Sequence, residues 1–217
     1  MITLRNISKS FLIPHAQRRS VRDSLFSFFQ TKHYERIDVL KDFSLDVKRG
    51  EFVGIMGSNG SGKSTLLKIV AGIYQPDTGE IRLAGKTAAI LELGVGFHPD
   101  LSARDNVFLN GSLLGISQQQ LKKSFRDIFA FAGLEQFVEA PLKHFSSGMA
   151  ARLAFAIVSH VDAEIYLLDE VLAVGDQEFQ QKCLKVFEQW KEQGKTVLLV
   201  SHAEELLRRV CHRVINM

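Results

Sequence analysis

Only two cysteines occur in the 217 residues, Cys183 and Cys211. They stand far apart and belong to no C-x-x-C or C-x-H spacing. That excludes a disulfide framework and a cysteine metal site, and leaves two buried or inert thiols as the expectation. Long apolar runs are missing as well. Segments such as 165–168 and 197–200 are strand-length, well short of the roughly 18 apolar residues that cross a bilayer. Residues 1–10 alternate polar and apolar side chains and carry no signal-peptide core, so the cytosol is the expected compartment. Nor is there an excess of one charge: 27 Lys and Arg against 24 Asp and Glu leave a net +3, well mixed along the chain. No basic stripe of the kind that tracks a phosphate backbone is present, and no nucleic-acid partner is expected.

What the sequence does contain is an ordinary globular mixture, 46% hydrophobic and 24% charged, with no repeat, low-complexity tract or flexible linker. Strand character is expected over residues 2–7, 39–47, 51–56, 164–168 and 196–201, and helical periodicity over 64–73 and 177–193. Between about 97 and 160 the apolar residues recur mostly at helical spacing. The reading is one α/β domain over 1–217, with a catalytic core of about 1–95 and 161–217 and an inserted helical lobe of about 96–160. Residues 14–36 read as a short amphipathic helix, with Val21, Leu25, Phe28 and Phe29 on one face and Arg18, Arg19 and Arg22 on the other side or at its start. Packing on the protein's own sheet and contact with a membrane partner or lipid headgroups are both open for it.

The chemistry is concentrated at three places. Gly57, Ser58, Asn59, Gly60, Ser61, Gly62, Lys63, Ser64 and Thr65 match G-x-x-x-x-G-K-S/T without a mismatch, between an expected strand and an expected helix. In such a P-loop the glycines let backbone N–H groups curl round a β-phosphate and the helix N-terminus adds its positive end. Lys63 pairs with β/γ oxygens and Ser64 ligates magnesium. Downstream, a hydrophobic strand ends in Asp169 and Glu170; adjacent residues at a strand end project differently and can take different tasks. Asp169 suits the magnesium shell and Glu170 suits polarising an attacking water. Ser201 and His202 follow the last long apolar strand. Between these points Ser146, Ser147, Gly148 and Met149 form a small-residue loop leading into a helix, whose free N–H groups suit an anion.

With these residues in place the chain resembles the ABC ATPase family over nearly its whole length. The fold implied is a P-loop NTPase core with a mixed sheet and an inserted α-helical subdomain. The resemblance makes residues 146–149 the signature loop, which in that family is commonly LSGGQ; this chain departs from it at Ser147 and Met149. Tyr34 resembles the aromatic that stacks on adenine, the alternative being a core tyrosine. Gly175 and Asp176 resemble the loop that touches the opposite subunit, and His202 the histidine that senses the γ-phosphate. Where the family carries a glutamine before the helical lobe, Glu92 stands here, as its substitute or as a structural residue.

Residues 92–107, 145–155 and 169–176, with the insertion at 14–36, look like the branch that exports bacterial surface polysaccharides such as O-antigen, capsule and teichoic-acid chains. The resemblance implies an ATPase using ATP and Mg2+, acting as a head-to-tail homodimer in which each signature loop completes the other subunit's site. It also implies a separate integral membrane subunit and a peripheral location on the cytoplasmic face of the bacterial plasma membrane. An importer, or an exporter of lipid or peptide, remains the alternative. A DNA- or ribosome-directed ATPase of the family would need a coiled-coil insertion or a tandem ATPase domain, and a small-molecule kinase would leave residues 146–149 and His202 unexplained.

Overall fold

The computed structural model describes residues 1–14, 34–171 and 175–217. Strand β1 (Ile2–Pro14) runs antiparallel to both β2 (Tyr34–Val47) and β4 (Thr78–Leu83), giving a three-stranded sheet in the order β2-β1-β4. The second sheet is parallel throughout and has the order β5-β6-β7-β3-β8. It comprises β3 (Phe52–Met56), β5 (Thr87–Ile90), β6 (Ile165–Asp169), β7 (Thr196–Val200) and β8 (Arg213–Asn216). Both strand directions are therefore present, divided between two sheets. The expected amphipathic helix, with Val21, Leu25, Phe28 and Phe29, lies outside the described residues. Tyr34, Glu35 and Arg36, assigned to its end, are strand.

The parallel strands are buried on both faces, and their period of two sorts the core. Val53 and Ile55, Ile165 and Leu167, and Leu198 and Val200 face helix α1 (Lys63–Val70) and the antiparallel sheet, where they join Ile2, Leu4, Ile7, Leu66, Leu67 and Val70. Phe52, Tyr166, Leu168, Val197 and Leu199 face the other way. There they meet α5 (Gln177–Glu192), α6 (Glu204–Val210) and the helices that lie in sequence between β5 and β6, namely α2 (Ala103–Leu113), α3 (Gln118–Ala132) and α4 (Ser147–Val158). Tyr166 stacks on Trp190 at 4.1 Å between centroids and its hydroxyl donates to the Val161 carbonyl at 2.6 Å. That satisfies the one polar group the ring takes inside. Helix starts follow local chemistry: Ser102, Ser117, Ser146 and Asp176 each accept a backbone N–H of the first turn, and Ser117 with Gln120 makes a complete capping box.

Both thiols are withdrawn from chemistry as expected, burial pushing Cys183 and Cys211 to about 12. Gly79 is dictated by close approach. Gly79 has φ +100° where β4 meets the irregular stretch of β1, and a Cβ there would lie 2.6 Å from the Asn6 carbonyl oxygen and would also strike that of Arg5. Gly79→Ala is expected to cost about 3 kcal/mol through backbone strain and overlap. That corresponds to a melting temperature roughly 6–12 °C lower for a chain of this size. Thermal unfolding followed by circular dichroism checks it, and a midpoint equal to wild type would contradict the steric argument.

Candidate nucleotide site

Order in the parallel sheet brings the sequence motifs together. β6, β7 and β3 are consecutive neighbours, and a parallel sheet puts all their carboxyl ends at one edge. Residues 57–62 follow β3, Asp169 and Glu170 end β6, and Ser201 and His202 follow β7. Ligands of open α/β sheets sit at that edge.

The loop after β3 is held by its glycines. Gly62 caps α1 at φ +98°, and a Cβ on it would come within 2.9 Å of the Val39 carbonyl oxygen. On Gly57 a Cβ would lie 2.5 Å from the Met217 carbonyl oxygen. Lys63 is nearly buried, and its ammonium donates to the carbonyls of Gly57 and Ser58, both at 2.8 Å, so it is folded back across the loop. A cavity of about 470 Å³ opens beside it, lined by Phe11, Val39, Asn59, Gly60, Gly62, Lys63, Ser64, Thr65, Asp169 and Glu170. The Ser61 hydroxyl is buried beside this wall without a partner.

The carboxylates are in different surroundings. Asp169 is pushed above the ordinary carboxylate range, first by burial, with the Ser64 hydroxyl and Lys63 acting in the opposite sense. Its Oδ1 is buried and makes no hydrogen bond. A buried carboxylate oxygen without a partner, on a residue that lines the cavity beside the Ser64 hydroxyl, belongs to a donor set that fits a hard divalent cation such as Mg2+. Glu170, by contrast, is engaged. Its Oε1 accepts from the His202 backbone N–H at 3.1 Å and from His202 Nδ1 at 2.9 Å, and Oε2 accepts from the Ser201 hydroxyl at 3.4 Å. An ionised carboxylate only accepts, so Nδ1 carries the proton. Glu170 also sits at φ +52°, a left-handed conformation that a non-glycine side chain adopts at a cost of about 1–3 kcal/mol. Strain of this kind persists where surrounding contacts over-determine it, here the bond from its N–H to the Val200 carbonyl and the clasp by residues 201 and 202.

The remaining expected residues are distributed elsewhere. Ser146 caps α4 by accepting the Met149 N–H at 3.2 Å; Ser147 and Gly148 form the first turn, away from this cavity. Asp176 caps α5 through the Phe179 N–H and lies 4.0 Å from Arg152. Glu92 follows β5 by two residues, is exposed and makes no ion pair among the described residues. Tyr34 lies opposite Pro14 at the far end of the β1–β2 ribbon, is half exposed, and is not among the residues that line the cavity. The aromatic on the wall is Phe11, three pairs nearer the body of the sheet and opposite Ile37. The sequence signal for it was an aromatic in the strand that precedes the loop, which becomes meaningful only once pairing with β2 turns that strand past the cavity.

Comparison with known proteins agrees with this geometry. Residues 40–173 match the family model described as ABC transporter. The O-antigen export system ATP-binding protein RfbB of Myxococcus xanthus is 40% identical over 221 aligned residues, covering 97% of this chain and 49% of that protein. The protein of the same description from Klebsiella pneumoniae is 38% identical, with 99% and 89% covered. The teichoic acids export ATP-binding protein TagH of Bacillus anthracis is 39% identical, with 87% and 34% covered. This chain thus spans about half of the first of these and about a third of the last. Among solved structures, a dimeric ATP-binding cassette in a post-hydrolysis state with ADP and Pi superposes with TM-score 0.78 at 26% identity, covering 100% of this chain and 94% of that one. The chain belongs to the ABC transporter family, as one of its ATP-binding cassettes.

Proposed function

We propose that this chain binds and hydrolyses ATP and powers export of a bacterial surface polysaccharide, of the lipid-linked O-antigen, capsule or teichoic-acid type, through a separate membrane subunit. The observation that carries the ATPase reading is the convergence of Lys63, the Asp169–Glu170 pair and His202 at the carboxyl ends of three neighbouring strands. The substrate rests on likeness to relatives described as O-antigen and teichoic acids export ATP-binding proteins.

Gly57, Ser58, Asn59, Gly60, Ser61, Gly62 and Thr65 cradle the phosphates with backbone N–H groups and hydroxyls, and Lys63 exchanges its two carbonyl acceptors for β/γ oxygens. Ser64 and Asp169 would hold Mg2+, which would supply positive charge against the negative charge that develops in phosphoryl transfer. Glu170 accepts a proton from the attacking water or orients it, and His202 keeps the carboxylate aimed through its two donors. In a head-to-tail homodimer Ser146, Ser147, Gly148 and Met149 face the nucleotide held by the partner, at a helix end suited to an anion, and Asp176 lies at the seam. ATP binding closes the pair and hydrolysis reopens it, moving a membrane subunit docked on the groove between the core, about 1–95 and 161–217, and the lobe of about 96–160. Residues 92–99 face the membrane subunit, and Leu93, Gly94, Phe97 and Pro99 among them line an apolar groove of about 340 Å³. The proposed location is peripheral, at the cytoplasmic face of the plasma membrane; no described helix is long and apolar enough to cross a membrane.

The test is genetic. Deletion in the host is expected to leave lipid-linked polysaccharide inside the cell and deplete it from the surface, with restoration by wild type and not by Lys63→Ala. Unchanged glycans in the deletion strain would reject the polysaccharide substrate and leave the ATPase reading to be judged by hydrolysis in vitro.

A further inference from the structure

The antiparallel sheet is interrupted just ahead of Phe11. Pairing of β1 with β4 ends at Ser8 opposite Thr78, and the register of β1 with β2 shifts on both sides of Lys9. Lys9 and Ser10 therefore sit where one ladder has ended and the other is irregular, the situation in which an unpaired N–H is costly. Asp77, the residue before β4, supplies the missing acceptors. Its Oδ2 takes the Ser10 N–H and the Ser10 hydroxyl, both at 2.7 Å, and its Oδ1 takes the Lys9 ammonium at 2.8 Å. Its own N–H donates to the Ser8 carbonyl at 2.8 Å. Together these bonds fix the backbone on the N-terminal side of Phe11, with a charge-assisted acceptor replacing a strand.

The ring is fixed from behind as well. Tyr74 meets Phe11 edge-on, centroids 5.6 Å apart at 69°, and the Lys9 ammonium lies 5.5 Å from the Phe11 centroid. Lys68, in the last turn of the helix that opens with Lys63, lies 5.7 Å over the ring of Tyr74. Phe11 also lines the cavity. An aromatic in a cavity that a phosphate loop also lines is a surface for a planar base, and stacking rewards a ring that is already held in place.

We propose that Asp77 is a positioning residue for nucleotide binding: through Ser10 and Lys9 it holds Phe11, backed by Tyr74, as the platform on which the base stacks. The proposal rests on reading the cavity as the nucleotide site. Asp77 touches neither base nor phosphate; it acts through Phe11, and that gives the test its form.

The experiment is a double-mutant cycle on the full chain, with ATP and inorganic tripolyphosphate as ligands, both with Mg2+, in titration calorimetry. Phe11→Ala is expected to weaken ATP binding about tenfold, the lower end of what one stacked base contributes, and to leave tripolyphosphate binding unchanged. Asp77→Ala is expected to do the same, and the double variant to lose no more than Phe11→Ala alone. Asp77→Asn, which keeps an oxygen for Ser10, is expected to recover most of the affinity. Should Asp77→Ala fail to fold, Ser10→Ala, which removes the hydroxyl donor but leaves Lys9 paired, takes its place in the cycle with a smaller loss of ATP binding that again vanishes beside Phe11→Ala. Losses that add in the double variant, or that fall equally on tripolyphosphate, would overturn the positioning role while leaving the nucleotide site intact. A wild-type chain binding neither ligand would overturn both readings.

Discussion

Replacing Glu170 by glutamine is expected to slow ATP hydrolysis about 10²–10⁴-fold, the range for loss of a positioned general base. The nucleotide should stay bound and hold two chains together as an ATP-stabilised dimer on a sizing column. The expectation comes from what the substitution leaves alone. Glutamine has the same shape, so the backbone at φ +52° and its bond to the Val200 carbonyl are undisturbed. The amide oxygen can still accept from the His202 N–H, now 3.1 Å from Oε1. Lys63, Ser64 and the loop N–H groups are untouched, so affinity for ATP should change by less than about threefold: the lost interaction belongs to the transition state. Folded stability should move by no more than about 0.5 kcal/mol, as for a substitution that opens no cavity and strands no charge. Single-turnover hydrolysis with Mg2+ measures the effect. A variant hydrolysing at the wild-type rate would remove Glu170 from the chemistry and leave its strained backbone without a functional account.

The parts of this site that were legible in the sequence are those whose meaning is local. A glycine-rich loop between strand and helix, two carboxylates closing an apolar strand and a Ser-His pair after another each combine a residue type with an element boundary, and the strand order then brings the three to one edge. Phe11 and Asp77 were not legible, because nothing near either residue marks it. Phe11 gains its place from pairing with β2 and Asp77 gains its donors from residues 67 and 68 positions earlier. The strands show the same division. β3, β6 and β7 are continuous apolar runs, whereas β5 has only four residues and β4 is largely exposed, with only Ile81 and Leu83 as alternating apolar positions. β1 and β2 run seven and five residues beyond their expected ends because each completes the other's hydrogen bonding, a stabilisation that no window along one strand contains. Tyr34 and Phe11 lie three pairs apart on the same ribbon, and only the register tells which of the two lines the cavity.

Asp169→Asn should have opposite effects on folding and on turnover. Without nucleotide or metal, burial raises the pKa of Asp169 above its ordinary value of 3.8. The folded chain therefore binds this proton more tightly than the unfolded chain does, and the contribution of this group to stability falls as pH rises from about 4 through the raised value. At neutral pH the carboxylate is a net cost, with an oxygen that is buried and without a partner. An amide of the same shape removes that cost, so in EDTA the variant should melt above wild type at pH 7.5, and the gain should disappear at a pH below the unfolded value. With Mg2+ and ATP the order reverses. On the proposed role of Asp169 the cation would lose an anionic ligand, and hydrolysis should fall by at least about 10²-fold, as expected for several kcal/mol of charge stabilisation. ATP should raise the melting temperature of the variant less than that of wild type, because the nucleotide then binds without its metal fully held. Paired melting curves with and without MgATP therefore report the same residue from both sides: a functional carboxylate kept at a cost to the empty fold, recovered when the cation and phosphates arrive. A variant that melts below wild type in EDTA at pH 7.5 while hydrolysing ATP normally would mean that Asp169 is a structural residue and that magnesium is held by other groups.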